Sequence, residues 1–411
     1  MIFVIPKFKM MQTLTDNLNR VTRENLTGVR VVRAYNAEKY QEKIFEAANE
    51  ELTSTQLFTN RSMAIMMPMM SLVMSGISLA IYWIGAYLIN GAEAMERMEI
   101  FSNMVVFSSY SVQVIMSFMM LVMIFMILPR ASVSAKRINE VLETESKIVD
   151  GHITEGVKGK KGEVVFEGVS FKYPEASEYV LQDISFTARA GETVAFIGST
   201  GSGKSTLVNL IPRFYDATEG NILVDGVNIK DYVQEALYNK IGYVPQKAVM
   251  FRGTVSSNVS YGDNGKEKAD LDDIKEAVRI AQGTQFVEDM DGQYEADIAQ
   301  GGTNVSGGQK QRLAIARAVC RKPDIYIFDD SFSALDYKTD RILRSVLKKE
   351  TGGVTSLIVA QRIGTIMDAD QIIVLDEGRI VGKGTHKELL KTCDVYREIA
   401  MSQLSEEELV S

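Results

Sequence analysis

A glycine-rich run at residues 198–205 carries the clearest chemical pattern in the chain. It reads Gly-Ser-Thr-Gly-Ser-Gly-Lys-Ser and matches every fixed position of the GxxxxGK(S/T) template of a phosphate-binding loop, or P-loop. Glycines let backbone N–H groups surround a phosphate, Lys204 can reach β- and γ-phosphate oxygens, and the Ser205 hydroxyl can ligate Mg²⁺. An apolar strand at 193–197 and a helix starting near Ser205 would hold the loop in place. The alternative is a glycine-rich turn that only joins a strand to a helix.

The run therefore predicts a site for a nucleotide and Mg²⁺. Asp329 ends a second apolar strand, and a carboxylate in that position reaches Mg²⁺ through water, so Ser205 and Asp329 are candidate metal-binding residues. The residues of the loop expected to contact the nucleotide are Gly198, Ser199, Thr200, Gly201, Ser202, Gly203, Lys204, Ser205 and Thr206.

Composition excludes several other classes of function. The 411 residues carry a net charge of −8 and show no stripe of lysine and arginine with interleaved aromatics, so we expect no nucleic-acid partner. The 2 cysteines, Cys320 and Cys393, lie far apart, which fits a cytoplasmic domain with free thiols and not a disulfide framework. With only 2 histidines, His152 and His386, a histidine-rich metal site is excluded.

Two long stretches without charge predict helices that cross a membrane. Residues 62–92 and 100–129 contain no charged residue, and each exceeds the roughly 20 residues that span a bilayer. The short loop between them carries Glu93, Glu96 and Glu99, whereas both outer flanks are basic, so the loop is predicted to be extracytoplasmic. The alternative is a buried hairpin in a large soluble core.

The rest of the chain divides by composition. Residues 7–61 are polar with helical periodicity and predict two long cytoplasmic helices that meet near residues 33–38. The polar segment 144–162 is a candidate linker between a membrane domain, 1–143, and a domain at 163–411. In that last domain, β-branched runs alternate with helical stretches, which predicts an α/β fold with a largely parallel sheet. Residues 1–5 are a short apolar stub, expected to be the tail of a helix that begins upstream.

A second motif indicates a particular family. Residues 305–309, Val-Ser-Gly-Gly-Gln, followed by Lys-Gln-Arg, resemble the signature motif of ATP-binding cassette (ABC) transporters. The motif lies between the P-loop and the strand that ends at Asp329, in the order of the family, and the preceding helices resemble the exporter type. The resemblance implies an α-helical transmembrane segment followed by an α/β P-loop nucleotide-binding domain with a helical signature subdomain. It also implies ATP with Mg²⁺ and a dimer of cassettes.

The resemblance assigns roles to further residues. Tyr173 matches the aromatic residue that stacks on adenine. Gln246 matches the glutamine that senses Mg²⁺ and the attacking water, so it joins the candidate nucleotide, metal and catalytic sets. In such dimers each ATP lies between one subunit's P-loop and the other's signature motif. The signature residues expected to bind nucleotide are Ser306, Gly307, Gly308 and Gln309.

Two positions depart from the family pattern. Asp330 stands where the family carries a catalytic glutamate, and Gln361 where it carries a histidine. Aspartate is one methylene shorter, and a general base must come within about 2.6–3.2 Å of the proton that it takes. An amide can donate to a γ-phosphate oxygen but carries neither proton nor charge. With Asp330, Gln246, Gln361 and Lys204 as the candidate catalytic set, we expect ATP to be bound well and cleaved slowly.

These departures resemble the degenerate-site half of a heterodimeric exporter, whose partner is a second half-transporter with the missing glutamate and histidine. By analogy the cargo would be small hydrophobic compounds or drugs, exported across the plasma membrane in contact with its lipid, with the nucleotide-binding domain in the cytoplasm. The two spans would be the last two of six, so the chain would be partial. Two alternatives stay open: a homodimeric exporter with weak chemistry at Asp330, and a regulatory module that binds ATP without hydrolysing it.

Overall fold

The computed structural model describes residues 4–350 and 352–404. Residues 1–3, 351 and 405–411 lie outside the described residues, and with them the outer ends of the predicted domains 1–143 and 163–411. The chain forms two compact units that divide between Glu145 and Ser146.

The first unit is helical in its described residues. Its helices are α1 (Val4–Thr27), α2 (Val29–Ala34), α3 (Glu38–Gly91) and α4 (Glu96–Leu142). Helix α1 packs against α3, and Leu14, Val21, Ala48 and Leu52 are buried on these two helices. Helix α3 also packs against α4, where Gly85 lies beside the side chain of Met104.

Helix boundaries in this unit differ from the predicted ones. The second polar helix and the first predicted span, 62–92, form one continuous helix α3, and α4 likewise runs on beyond the second predicted span. A change from polar to apolar side chains alters the solvent that a helix prefers but does not interrupt its backbone hydrogen bonds. The helical backbone is interrupted instead between α2 and α3, at residues 35–37, which lie within the predicted meeting point at 33–38. Asn36 in this interruption has a φ of +51°.

Two helices of the described residues are long and apolar enough to cross a membrane, by length and composition. They are Glu38–Gly91 and Glu96–Ile124, and their most apolar windows are almost wholly exposed within the unit. Trp83, Leu88, Phe107 and Phe118 are among the exposed apolar side chains. This exposure is the opposite of what a buried hairpin in a soluble core requires.

In the residues that the structure describes, the second unit is built on three sheets. An antiparallel sheet has the order β2-β1-β4-β5, and a six-stranded sheet has the order β12-β11-β3-β10-β9-β6, in which only β12 is antiparallel; β7 pairs with β8. The strands are β1 (Val164–Phe171), β2 (Leu181–Ala188), β3 (Thr193–Gly198), β4 (Glu219–Val224), β5 (Val227–Asn228), β6 (Ile241–Val244), β7 (Gly253–Thr254), β8 (Asp297–Ile298), β9 (Ile325–Asp329), β10 (Thr355–Val359), β11 (Gln371–Asp376) and β12 (Arg379–Gly384).

Helices cover these sheets. They are α5 (Lys204–Leu210), α6 (Gln234–Asn239), α7 (Val255–Val259), α8 (Leu271–Ile280), α9 (Thr284–Glu288), α10 (Gly307–Cys320), α11 (Tyr337–Glu350), α12 (Ile363–Ile366), α13 (His386–Thr392) and α14 (Asp394–Gln403). Strand β3 separates two apolar cores, because Val194 and Phe196 face one of them and Ala195 and Ile197 face the other. The predicted α/β class with a largely parallel sheet is confirmed for the six-stranded sheet, whereas the antiparallel sheet was not predicted.

Part of the predicted linker, 144–162, lies on the second unit. The backbone N–H of Gly151 donates to the Tyr232 carbonyl at 2.9 Å, and that of Val157 donates to the Asp225 carbonyl at 2.9 Å. The N–H of Gly162 donates to Oδ1 of Asp225 at 2.6 Å. These hydrogen bonds tie part of the segment to the second unit at Tyr232 and at the buried Asp225, and the free connection is shorter than predicted.

Candidate nucleotide-binding site

The carboxyl ends of three neighbouring parallel strands bring the candidate residues to one edge of the sheet. Strand β3 ends at Gly198, β9 at Asp329 and β10 at Val359, and Val359 is paired directly with Asp329. Ligands of open α/β sheets bind outside this edge. The register therefore places the P-loop, Asp330 and Gln361 around one volume.

The P-loop connects β3 to α5 as the sequence predicts. Gly203 precedes the helix with a φ of +94°, and a Cβ there would lie 2.7 Å from a methyl carbon of Leu181, so only glycine fits. Gly201 has a φ of +88° and open space where its Cβ would be. The exposed backbone of Ser199, Thr200 and Gly201 leaves room for a phosphate.

Lys204 lies folded onto its own loop. Its Nζ donates to the carbonyls of Gly198 at 2.9 Å and Ser199 at 2.7 Å, and also lies 3.3 Å from the buried Ser202 hydroxyl. The side chain is buried, and burial lowers the pKa of Lys204, while Asp330 and Asp329 oppose the shift. A phosphate oxygen can replace these carbonyls as the acceptor and compensates the ammonium charge better than a neutral carbonyl does.

Ser205 and Asp329 form the pair that suits a hard cation. The Ser205 hydroxyl donates to Oδ1 of Asp329 at 2.7 Å. Burial raises the pKa of Asp329, with a further contribution from the charge of Asp330, and the hydrogen bond from Ser205 opposes it. A buried carboxylate whose charge is under-compensated, beside a hydroxyl oxygen, fits Mg²⁺. These two residues would hold the ion, which would neutralise phosphate charge.

Asp330 is enclosed by two amides. Its Oδ2 accepts a hydrogen bond from Nε2 of Gln361 at 2.6 Å and another from Nε2 of Gln246 at 3.0 Å. Burial raises the pKa of Asp330, and the hydrogen bonds from Gln246 and Gln361 oppose the shift. Its φ of +45° is left-handed, which aspartate tolerates better than most residues. Three of the four predicted catalytic side chains, Asp330, Gln246 and Gln361, are thus brought together.

Tyr173 lies in an aromatic cluster next to the P-loop helix. Its ring is perpendicular to those of Phe171 and Tyr215, at centroid distances of 5.0 and 5.2 Å. Its hydroxyl lies 3.0 Å from Oγ1 of Thr206. Sequence reasoning named Tyr173 and Thr206 but missed Tyr215, because no spacing links it to residue 173 before the fold is known.

The signature residues form a separate group, in which Ser306 and Gly307 are exposed and Gly308 and Gln309 are half-buried. Ser306 is the N-cap of α10: its Oγ accepts from the Gln309 N–H at 3.3 Å, and the Gln309 side chain accepts from the Ser306 N–H at 2.8 Å. Within the described part of the chain, no hydrogen bond joins Ser306, Gly307, Gly308 or Gln309 to the P-loop. The helix is tied instead to the Gln246 segment, because Gln311 donates to the Pro245 carbonyl at 3.3 Å.

Fold and site together define a P-loop nucleotide-binding domain that follows a unit of long apolar helices. One family model, described as ABC transporter, matches residues 181–333, and another, described as ABC transporter transmembrane region, matches residues 4–118. An uncharacterized ABC transporter ATP-binding protein of Mycobacterium bovis is 45% identical over 404 residues, 97% of this chain and 68% of the relative. The chain belongs to the ABC transporter family.

Other similar proteins agree with the exporter type. An ATP-dependent lipid A-core flippase of Pseudomonas savastanoi is 34% identical over 97% of this chain and 64% of its own length. The solved structure of a bacterial Atm1-family ABC exporter with ATP bound matches with a TM-score of 0.82 and 27% identity, over 98% of this chain and 71% of that chain. The predicted order of a membrane region followed by an ATP-binding domain is confirmed, and the chain is a membrane protein of the ABC exporter half-transporter type.

Proposed function

We propose that this chain is the degenerate-site subunit of a heterodimeric exporter, which binds Mg·ATP at its own P-loop and hydrolyses it slowly. The observation that carries the proposal is the double amide contact on Asp330, at 2.6 Å from Gln361 and 3.0 Å from Gln246. Both neighbours of the carboxylate are neutral hydrogen-bond donors. Neither can accept the proton of an attacking water or carry positive charge in the transition state.

Most of the contacts expected to bind the nucleotide are made by other groups. The loop amides, Lys204 and the Ser205–Asp329 pair are those of an intact P-loop site, and none of them requires the side chain at 330 or 361. Loss of a well-placed general base typically lowers a rate by about 10² to 10⁴. The expected result is a site that retains ATP while turnover drops.

The intact signature group supports a role toward a second subunit. Ser306 and Gly307 are exposed at the start of α10, and no atom lies within 4 Å of where a Cβ of Gly307 would be. The capping contact with Gln309 fixes the Ser306 side chain, while the space around this end of α10 stays open. We propose that Ser306, Gly307, Gly308 and Gln309 complete the faster site, on a partner that carries glutamate and histidine at the two substituted positions.

For cargo we propose small hydrophobic compounds, drugs among them, exported across the plasma membrane. The exposed apolar side chains of α3 and α4 suit contact with lipid and with such compounds. The name of the Pseudomonas relative adds an amphiphilic lipid as a second candidate.

Reconstitution in lipid with and without a candidate partner half-transporter tests the proposal. We expect low ATP turnover by this chain alone and fast turnover by the mixture, abolished by Ser306→Ala. Ser402→Ala is the matched control, because among the described residues the Ser402 hydroxyl donates only to the Ile399 carbonyl within its own helix. Fast hydrolysis by the chain alone would favour the homodimer, and a lack of Mg·ATP binding would remove the proposal.

A further inference from the structure

The last residue of α14 is bound to the segment that carries Gln361. Nε2 of Gln403 donates to the backbone carbonyl of Gln361 at 2.8 Å, and Oε1 of Gln403 accepts from the backbone N–H of Ile363 at 2.8 Å. One side-chain amide therefore holds the two peptide groups that flank Arg362. No catalytic or binding role has been assigned to Gln403 by the motifs above.

The segment needs such a contact because of its own local structure. Helix α12 has only four residues, and its N-cap residue, Arg362, makes no side-chain capping bond. The first N–H groups of a helix have no partner within the helix and require one from elsewhere. Gln403 supplies that partner for Ile363 from a different helix.

Helix α14 provides a fixed base for Gln403. Tyr396 and Ala400 are fully buried, and the Tyr396 hydroxyl lies 2.7 Å from Nδ1 of His386. Helix α14 also packs against α12 and against strand β3, which leads into the P-loop. The buried part of α14, up to Ala400, is therefore fixed relative to the P-loop strand, and Gln403 follows it by three residues at the exposed end of the helix.

We infer that Gln403 is a positioning residue that holds Gln361 in place at Asp330. Because the backbone of residues 361 and 363 is held in place, the position of the Gln361 Cα is fixed. From that position Nε2 of Gln361 donates to Oδ2 of Asp330 at 2.6 Å. This inference rests on the proposed function and adds to it that the Gln361 amide, which can donate to a γ-phosphate oxygen, does so when ATP is bound. Because ADP lacks that phosphate, the ratio of the affinities for ATP and ADP reports the position of Gln361.

The test measures this ratio with fluorescent ATP and ADP analogues on the lipid-reconstituted chain. Gln403→Met keeps the length of the side chain but removes both hydrogen bonds. Since a neutral hydrogen bond contributes a net ~1 kcal/mol, we expect Gln403→Met to lower the ATP:ADP ratio by about threefold to tenfold. Gln403→Glu keeps the acceptor for the Ile363 N–H but sets a carboxylate oxygen against the Gln361 carbonyl oxygen, so it should lower the ratio as well. The control Ser402→Ala should leave the ratio unchanged.

The same measurements in a Gln361→Ala background separate the possible outcomes. If Gln403 acts through Gln361, Gln403→Met lowers the ratio in the original chain and has no further effect after Gln361→Ala.

An unchanged ratio for Gln403→Met, beside a lowered one for Gln361→Ala, would overturn the positioning role and leave the proposed function standing. An effect of Gln403→Met that persists in the Gln361→Ala background would also overturn it. An unchanged ratio for Gln361→Ala itself would show that Gln361 makes no γ-phosphate contact, which would overturn the inference, whereas the proposed slow turnover is tested separately by the reconstitution. Thermal unfolding of each variant distinguishes these results from a loss of fold.

Discussion

The side-chain amide of Gln361 donates a 2.6 Å hydrogen bond to Oδ2 of Asp330, across the ends of two paired strands. The contact follows from the parallel register of β10 and β9, in which Val359 lies opposite Asp329. The two substituted positions meet just beyond the strand ends, because Asp330 follows Asp329 by one residue and Gln361 follows Val359 by two. The two departures from the family pattern therefore contact each other, and the amide of Gln361 provides a hydrogen bond to the carboxylate of Asp330.

Restoring both family residues should restore turnover. We expect the double variant Asp330→Glu with Gln361→His to hydrolyse ATP at least about 10²-fold faster at this site than the original chain, because a longer base and a group that carries positive charge become available. Single-turnover hydrolysis of prebound ATP measures this directly.

Each single variant is the control for the pair. Asp330→Glu alone leaves the amide of Gln361 beside the new carboxylate and should give only part of the gain. A double variant that binds ATP normally and remains as slow as the original chain would show that the low rate has another cause.

Some of the site could be predicted from the sequence because phosphate chemistry restricts the residues. The loop at 198–205 needs glycine, lysine and serine at fixed spacings, so its pattern is local. The contacts of Asp330 and of Gln403 are not local. They depend on strand register and on a helix that returns about 40 residues later, for which no spacing rule exists. Likewise, the polar linker composition could not show that Gly162 would bind the buried Asp225.

The aromatic cluster makes a prediction for adenine binding. Removing a ring that stacks on a base typically costs about 1–3 kcal/mol, so Tyr173→Ala should weaken ATP binding by roughly tenfold or more. Tyr173→Phe keeps the ring and loses only the contact with the Thr206 hydroxyl, so its affinity should stay within about threefold of the original, as expected for one neutral hydrogen bond.

Tyr179→Ala is the matched control for this experiment. The Tyr179 hydroxyl donates to Glu219 at 2.7 Å, and its ring is absent from the contacts of the Tyr173 cluster. Equal losses for Tyr173→Ala and Tyr179→Ala would contradict a specific stacking role for Tyr173.

The buried ion pair of Lys240 and Asp225 should contribute to stability. The Nζ–Oδ2 distance is 2.7 Å, and the side chains are 16% and 2% exposed. Removing one partner of a buried pair leaves the other charge uncompensated, at a cost of about 3–5 kcal/mol. We expect Lys240→Met to lower the unfolding temperature of the ATP-binding domain clearly.

Lys161→Met gives the comparison, because Lys161 pairs with Asp324 at 3.0 Å while 76% of its side chain is exposed. Exposed pairs contribute little. Equal unfolding temperatures for the Lys240 and Lys161 variants would refute the assigned role of the buried pair.

His386 should make stability depend on pH. Its side chain is buried, its Nδ1 contacts the Tyr396 hydroxyl, and its Nε2 has no hydrogen-bond partner among the described residues. Burial lowers the pKa of His386 below its usual 6.5, and the charge of Lys387 adds to this shift, while Asp368 opposes it. Between the lowered pKa and 6.5 the unfolded chain therefore binds more protons than the folded one, and stability falls as the pH falls through this window.

Thermal unfolding between about pH 7.5 and about pH 5.5 measures this effect. We expect the unfolding temperature to decrease toward acid pH in the original chain and to decrease less in His386→Phe, which cannot be protonated. His152 is the only other histidine and is exposed, so His152→Phe should keep the slope of the original chain. If His386→Phe and the original chain lose stability in parallel, the acid sensitivity arises from other groups, and the buried ring contributes through packing alone.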